Sequence, residues 1–440
     1  MAALFSTIAA LLISVVLLIV GHGLTSTLIP LRASSAGFGD LEIGLVSSSF
    51  YLGYVVGCFY GPYLILRAGH IRTFAALVSL MSGAAILHPV IIEPISWSVF
   101  RFITGACLAG ITLVVESWLN ERSTNENRGA VMSTYVVLYL SATMVGQVLL
   151  PQFDLMTFIP FVIASVLVSV AVVPVALTRS AQPAPIALVH FRPKRLYDTS
   201  PIALVGCLLV GLANGALWML TPLYATQVGF SSSQAAYLAA AIVFGGTLAQ
   251  WPIGRLSDRI DRRAIIVFLA GFSFVFAALI MNSHANSFLV FVLLFTLLGT
   301  VTQPIYAIIA AHAFDSADAE DYVEVSSGLL MASGLGSMIG PTLASLLIGN
   351  KGPQGLLSWV AAIEVVLFIY VLSRMLVRPP LESEDKTDFE LGTTSSVGAA
   401  LTPEPLDVDD PNVIPPEEFP AYETTEVENE IEEEKIQELK

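Results

Sequence analysis

The sequence predicts an all-α membrane protein with twelve transmembrane helices in two pseudo-symmetric six-helix halves. Three observations carry that expectation: recurring long apolar runs, an internal repeat, and a one-sided distribution of arginine and lysine. The 440 residues are 55% hydrophobic and only 12% charged, too apolar for a solvated surface of that size. An apolar run of about 20 residues is long enough to cross roughly 30 Å of hydrocarbon as a helix. The runs are continuous and lack the alternation of barrel strands, so helices are expected.

Taken in order, the expected spans are 3–29, 42–66, 73–92, 96–119, 129–150, 156–177, 201–226, 233–255, 264–282, 288–313, 324–348 and 355–377. The first carries no charge before Arg32. A signal peptide would begin with a basic segment, so this run is expected to be retained as a span.

The first half of the chain is written twice. At an offset of 192 positions, Gly21 to Arg72 lies on Ala213 to Ala264 without a gap. Pro30-Leu31 meets Pro222-Leu223, Gly37-Phe38 meets Gly229-Phe230, Gly53 meets Gly245, and Arg67 meets Arg259. At an offset of 194, Gly105 meets Gly299 and Gly146 meets Gly340. Such a repeat marks two equivalent halves, with any solute site near mid-membrane where they meet. The expected organisation is a six-helix half over 1–178, a linker over 179–200, a second half over 201–378, and a tail over 379–440.

The net charge of −15 belongs to the tail, where 379–440 hold 19 acids and 3 lysines, or −16, leaving +1 for the rest. With prolines among its acids, the tail is expected to be disordered and is a candidate docking point for a protein partner. Orientation follows from the basic residues. Arg67, Arg72, Arg122, Arg128, Arg179, Arg192, Lys194, Arg195, Arg255, Arg259, Arg262, Arg263, Arg374 and Arg378 fall on one side, against Arg32 and Lys351 on the other. The basic side is expected to face the cytoplasm, with both termini there and the chain in the cytoplasmic (inner) membrane. Cys58, Cys107 and Cys207 lie inside spans without ligand spacing, so no metal or disulfide framework is expected.

The loop after span eight reads Gly254-Arg-Leu-Ser-Asp258-Arg259-Ile-Asp261-Arg262-Arg263. Here the chain resembles the major facilitator superfamily, whose loop pattern is Gly-x-x-x-Asp-Arg-x-Gly-Arg-Arg; Asp261 replaces the second glycine. Arg101-x-x-x-Gly105 in span four resembles a pattern of its proton-coupled antiporters. The stretches Glu116-Ser-Trp-Leu-Asn, Ala311-His312-Ala and Ser326-Ser327-Gly328-Leu-Leu resemble the YcaD-like branch. The resemblance covers residues 1–378 and implies a secondary transporter of a small organic solute, working by alternating access.

The loop residues point to latches that hold helix ends together in one conformation and release them in another. Asp258 is expected near Arg128 at the start of span five, with Arg259 or Arg262 reaching Asp315. In the first half Leu66 replaces the acid, so Arg67 or Arg72 is expected to pair with Glu324 or Glu121. These pairs are expected to be exposed and weak, about 0–1 kcal/mol each. The other reading of these arginines is topology alone.

Ionisable groups at membrane depth are costly. His22 aligns with Asn214, and the resemblance places spans one and seven at a central cavity. Asn214 with Trp218, and Gln303 with Tyr306, share helical faces. Together with Arg101 these six are the candidate solute site, and helix–helix hydrogen bonding is the alternative role. Arg101 favours an anionic or zwitterionic solute over snorkelling. Glu116 lies about 22 Å further along span four; pairing with an inner-loop arginine and proton coupling are both open to it, and His22 is the other candidate for coupling. Glu364 is expected to be packed or partly lipid-facing. No nucleotide-binding loop or catalytic constellation is present, and no enzyme activity, cofactor or nucleic-acid partner is expected. A monomer in the bilayer is expected. A sensor or scaffold signalling through the acidic tail is the competing class. Substrate, direction and coupling ion are not encoded in any motif.

Overall fold

The computed structural model describes residues 2–123, 128–177, 193–283, 287–317 and 322–377. Among these residues, twelve helices are long and apolar enough to span a membrane: α1 (Ile8–Ser35), α2 (Asp40–Ala68), α3 (His70–Val90), α4 (Pro94–Glu121), α5 (Arg128–Gln152), α6 (Ile159–Ala176), α7 (Pro201–Gln227), α8 (Ser232–Arg259), α9 (Arg262–Asn282), α10 (Phe288–Phe314), α11 (Glu324–Lys351) and α12 (Gln354–Met375). Eleven of the expected spans coincide with these within about four residues, the first helix runs six residues past its expected end to Ser35, and no strand occurs among the described residues. The tail and most of the linker lie outside the described residues. Of the linker, Pro193–Thr199 forms a short helix whose Leu196 is buried.

Local sequence explains where the helices start and stop. Glu93 caps α4, accepting from the amides of Ile95 and Ser96 at 3.0 and 2.6 Å, with Pro94 in the first turn, where its missing N–H costs nothing. Ser231 and Gln234 form a capping box on α8. The repeated Gly-Phe pair ends α1 and α7 in the same way. Gly37 and Gly229 have φ of 86° and 100°, a left-handed conformation that a side chain disfavours. The next amide then folds back, Phe38 onto the Ala33 carbonyl at 3.1 Å and Phe230 onto Ala225 at 3.0 Å. Phe38 packs on Trp97, and Phe230 on Phe288 and Phe291.

The repeated glycines mark equivalent helix crossings. A Cβ on Gly53 would collide with the Phe102 carbonyl, and one on Gly105 with the Phe50 carbonyl, so α2 and α4 cross backbone to backbone. Gly245 against Thr296 and Gly299 against Ile242 do the same for α8 and α10. Gly146 against Val20 joins α5 to α1, and Gly340 against Leu212 joins α11 to α7. Without a hydrophobic force between helices in lipid, such close approach is a main source of association.

The halves meet through α1 with α7, α2 with α11, and α5 with α8. Several of the joining contacts lie toward the arginine-poor face, where α2 and α8 begin. Gln227 donates to Asp40 at 2.7 Å, and the Ser48 and Thr342 hydroxyls are 2.7 Å apart. Gly44 abuts Ser345. At mid-depth Gly334 lies against Val55.

Candidate functional site

A cavity opens at mid-depth on the seam between the halves. Its walls include His22 and Ser26 of α1, Phe50, Tyr51 and Tyr54 of α2, Tyr139, Thr143 and Gln147 of α5, Asn214, Trp218 and Met219 of α7, Gln250 of α8, Gln303 and Tyr306 of α10, and Ser333 and Ser337 of α11. The lining is aromatic with a few amides and hydroxyls, a composition suited to an organic molecule. α10 is broken here. Its two segments, Phe288–Thr302 and Pro304–Phe314, meet at Gln303, because Pro304 has no N–H to continue the helical ladder. Interrupted helices at mid-membrane are where transporters place polar groups for solute.

Five of the six expected site residues share this cavity: His22, Asn214, Trp218, Gln303 and Tyr306. The His22 ring stacks on Phe50 at 5.4 Å. Asn214 donates to the Thr302 carbonyl at 3.3 Å, next to the break. Among the described residues the Asn214 Oδ1 and Gln303 Nε2 are buried without a partner. Arg101 does not line the cavity. It is buried one layer back, its Cζ 4.4 Å from the centre of the Phe50 ring. The contributions of α2, α5, α8 and α11 went unforeseen, because Tyr54, Tyr139, Gln147 and Gln250 belong to no motif. Polar side chains inside otherwise apolar spans were the available signal.

Glu116 is fully buried and receives a hydrogen bond from Tyr135 of α5. The partner shown is thus a span residue, where an inner-loop arginine was an open expectation. Glu364 is also buried, so it is packed and does not face lipid.

At the arginine-rich face, Arg262 meets Asp315 at 2.9 Å and Asp258 at 3.6 Å. The Arg262 and Asp315 side chains are 1% and 2% exposed. The expected contact is present, but the expectation of an exposed, weak pair is corrected: the ends of α9 and α10 enclose it. Arg259 is exposed and makes no ion pair among the described residues. Asp261, the residue that departs from the superfamily pattern, is the N-cap of α9. It accepts from the Arg263 amide at 2.9 Å and pairs with its guanidinium at 2.8 Å. Partial burial works to raise the Asp261 carboxyl, and the Arg263 hydrogen bonds and charge outweigh it, holding it below the usual range.

The first-half latch is also corrected. Arg67 and Arg72 are exposed and pair with neither Glu324 nor Glu121 among the described residues. Glu324 takes Arg195 of the linker helix at 3.2 Å. At the place equivalent to Asp261-Arg262, Gly69 adopts φ 78° between α2 and α3, and His70 hydrogen-bonds Ser117 at 3.2 Å. Arg128 opens α5 and is half-buried.

Twelve spanning helices in two equivalent halves around a mid-membrane cavity define a multi-pass membrane protein of the solute-transporter class. The model of the Major Facilitator Superfamily matches residues 11–244 and 203–406, and the chain belongs to that family. It is 29% identical over 380 residues to the uncharacterized MFS-type transporter YcaD of Salmonella arizonae, covering 84% of this chain and 94% of that one. The fold is shared with the nucleoside transporter NupG (TM-score 0.66, 12% identity, 83% and 98% covered). It is shared too with a bacterial homologue of the human lysosomal transporter Spinster, inward-facing and occupied (TM-score 0.67, 15% identity, 86% and 97% covered).

Proposed function

We propose that this chain is a secondary transporter that moves a small organic solute by alternating access, with the central cavity as its binding site. The observation that carries this is the seam position of the cavity, with polar groups from both halves facing one another. We place the arginine-rich face and both termini in the cytoplasm, in the cytoplasmic membrane, by the positive-inside rule. The joining contacts at Asp40, Ser48 and Thr342 then close the outer side. The Asp258–Arg262–Asp315 cluster stiffens the cytoplasmic end of the second half.

Transport is coupled to protons in this reading, through Glu116 or His22. Glu116 interacts with Tyr54 and Tyr306, which line the cavity, and His22 lines it directly. Reconstituted protein loaded with a solute found by thermal-shift screening should show counterflow, and Trp218→Ala should abolish it. Glu116→Gln should keep counterflow while losing accumulation driven by a pH gradient. Absence of counterflow for every solute that stabilises the protein would sink the transport reading.

A further inference from the structure

Two arginines in the helical region are equally buried, and the fold treats them differently. Arg262 and Arg101 are each 1% exposed. Arg262 has a carboxylate at 2.9 Å. Arg101 has none among the described residues. Its contacts are the Phe50 ring and, from Nη2, the Met219 sulfur at 3.5 Å. Its Nε and Nη1 reach no acceptor. A thioether is a weak acceptor, and a buried guanidinium without a counter-charge carries an unreturned desolvation cost.

Nearby acids do not supply that charge. Glu93, eight residues earlier and about 12 Å up the helix axis, is committed to the amides of Ile95 and Ser96. Glu116, fifteen residues on and about 22 Å away along the axis, is bonded by Tyr135. Among the described residues, then, one positive charge stands one side chain behind the cavity wall without its complement. Phe50 and Met219 are that wall, since both touch Arg101 and both line the cavity.

We infer that the solute is an organic anion, a carboxylate on a small aromatic molecule, and that Arg101 receives the carboxylate. This rests on the reading of the cavity as the solute site. The aromatic part is argued from Phe50, Tyr51, Trp218 and Tyr306, which line the cavity. The unpartnered Asn214 Oδ1 and Gln303 Nε2 are left for a polar ring substituent. The carboxylate must displace the Met219 sulfur, and methionine has the torsional freedom to yield. Met219 belongs to α7 and Arg101 to α4, so the displacement replaces a contact between the halves.

The test uses purified full-length protein and three probes, benzoate, phenylacetate and naphthoate, each against its primary amide. Thermal unfolding is followed against concentration. At least one acid should stabilise the protein at a concentration about tenfold or more below that needed for its amide, the advantage of a charge-assisted contact. Arg101→Lys should keep that preference. Arg101→Gln should erase it, and should raise the melting temperature of the ligand-free protein by removing an unpaired buried charge. Equal or better binding of the amides overturns the inference while leaving the cavity as a solute site. So does retention of the acid preference in Arg101→Gln. No effect from any acid also overturns it, and the wild-type comparison decides even if the glutamine variant fails to fold.

Discussion

Arg262 and Asp315 face each other at 2.9 Å across the ends of α9 and α10, with almost no solvent at either side chain. Enclosure changes what the pair is worth. An exposed pair contributes about 0–1 kcal/mol, whereas deleting one partner of a buried pair costs about 3–5 kcal/mol. Asp315→Asn should therefore lower the melting temperature clearly, while Arg259→Gln, at an exposed neighbouring arginine, should leave it within error. Equal small effects would show that water reaches Arg262.

Gly105 and Gly83 give a paired test of the helix crossings. A Cβ at Gly105 would strike the Phe50 backbone, while one at Gly83 meets nothing within 4 Å. Gly105→Val should prevent accumulation of folded protein. Gly83→Ala should be neutral or stabilising by up to about 1 kcal/mol, the helix-propensity gain. Expression and detergent-solubilised melting curves report both.

Ser48 and Thr342 join the halves between the cavity and the arginine-poor face, their hydroxyls 2.7 Å apart. Cysteines at both positions would bring two sulfurs within bonding reach. Oxidation of Ser48→Cys/Thr342→Cys should produce a shift in electrophoretic mobility and stop counterflow, with reduction restoring it. Full transport by the cross-linked protein would show that this contact does not need to open.

The Asp261 cap predicts a pH dependence of known sign. Its folded-state pKa lies below the unfolded value. The charge therefore contributes stability above the unfolded pKa of about 3.9, and that contribution is lost as pH falls through the lower, folded value. Asn also caps helices well, so Asp261→Asn isolates the charge. The melting temperatures of wild type and D261N should differ at pH 7 and converge on acidification toward pH 3. A difference that widens on acidification would contradict the sign.

Much of the fold was legible in the sequence. A helix in lipid must satisfy its own backbone, so every long apolar run had one available structure. The repeat also fixed which helices are equivalent. It placed His22 opposite Asn214, and both line the cavity. These are consequences of local composition and of a pattern visible along the chain.

Partnership was decided by the tertiary structure. Which way a side chain points depends on each helix's rotation, set by backbone contacts such as Gly105 with Phe50 between residues far apart in sequence. That rotation put Phe50 and Met219 between Arg101 and the cavity, and brought Tyr135 to Glu116. It also gave Glu324 to Arg195, not to Arg67 or Arg72. The sequence by itself determined twelve helices, two halves and the depth of the cavity, because the bilayer imposes those on each segment separately. Only packing between segments determined which charges were neutralised, like Arg262, and which, like Arg101, have no carboxylate partner among the described residues.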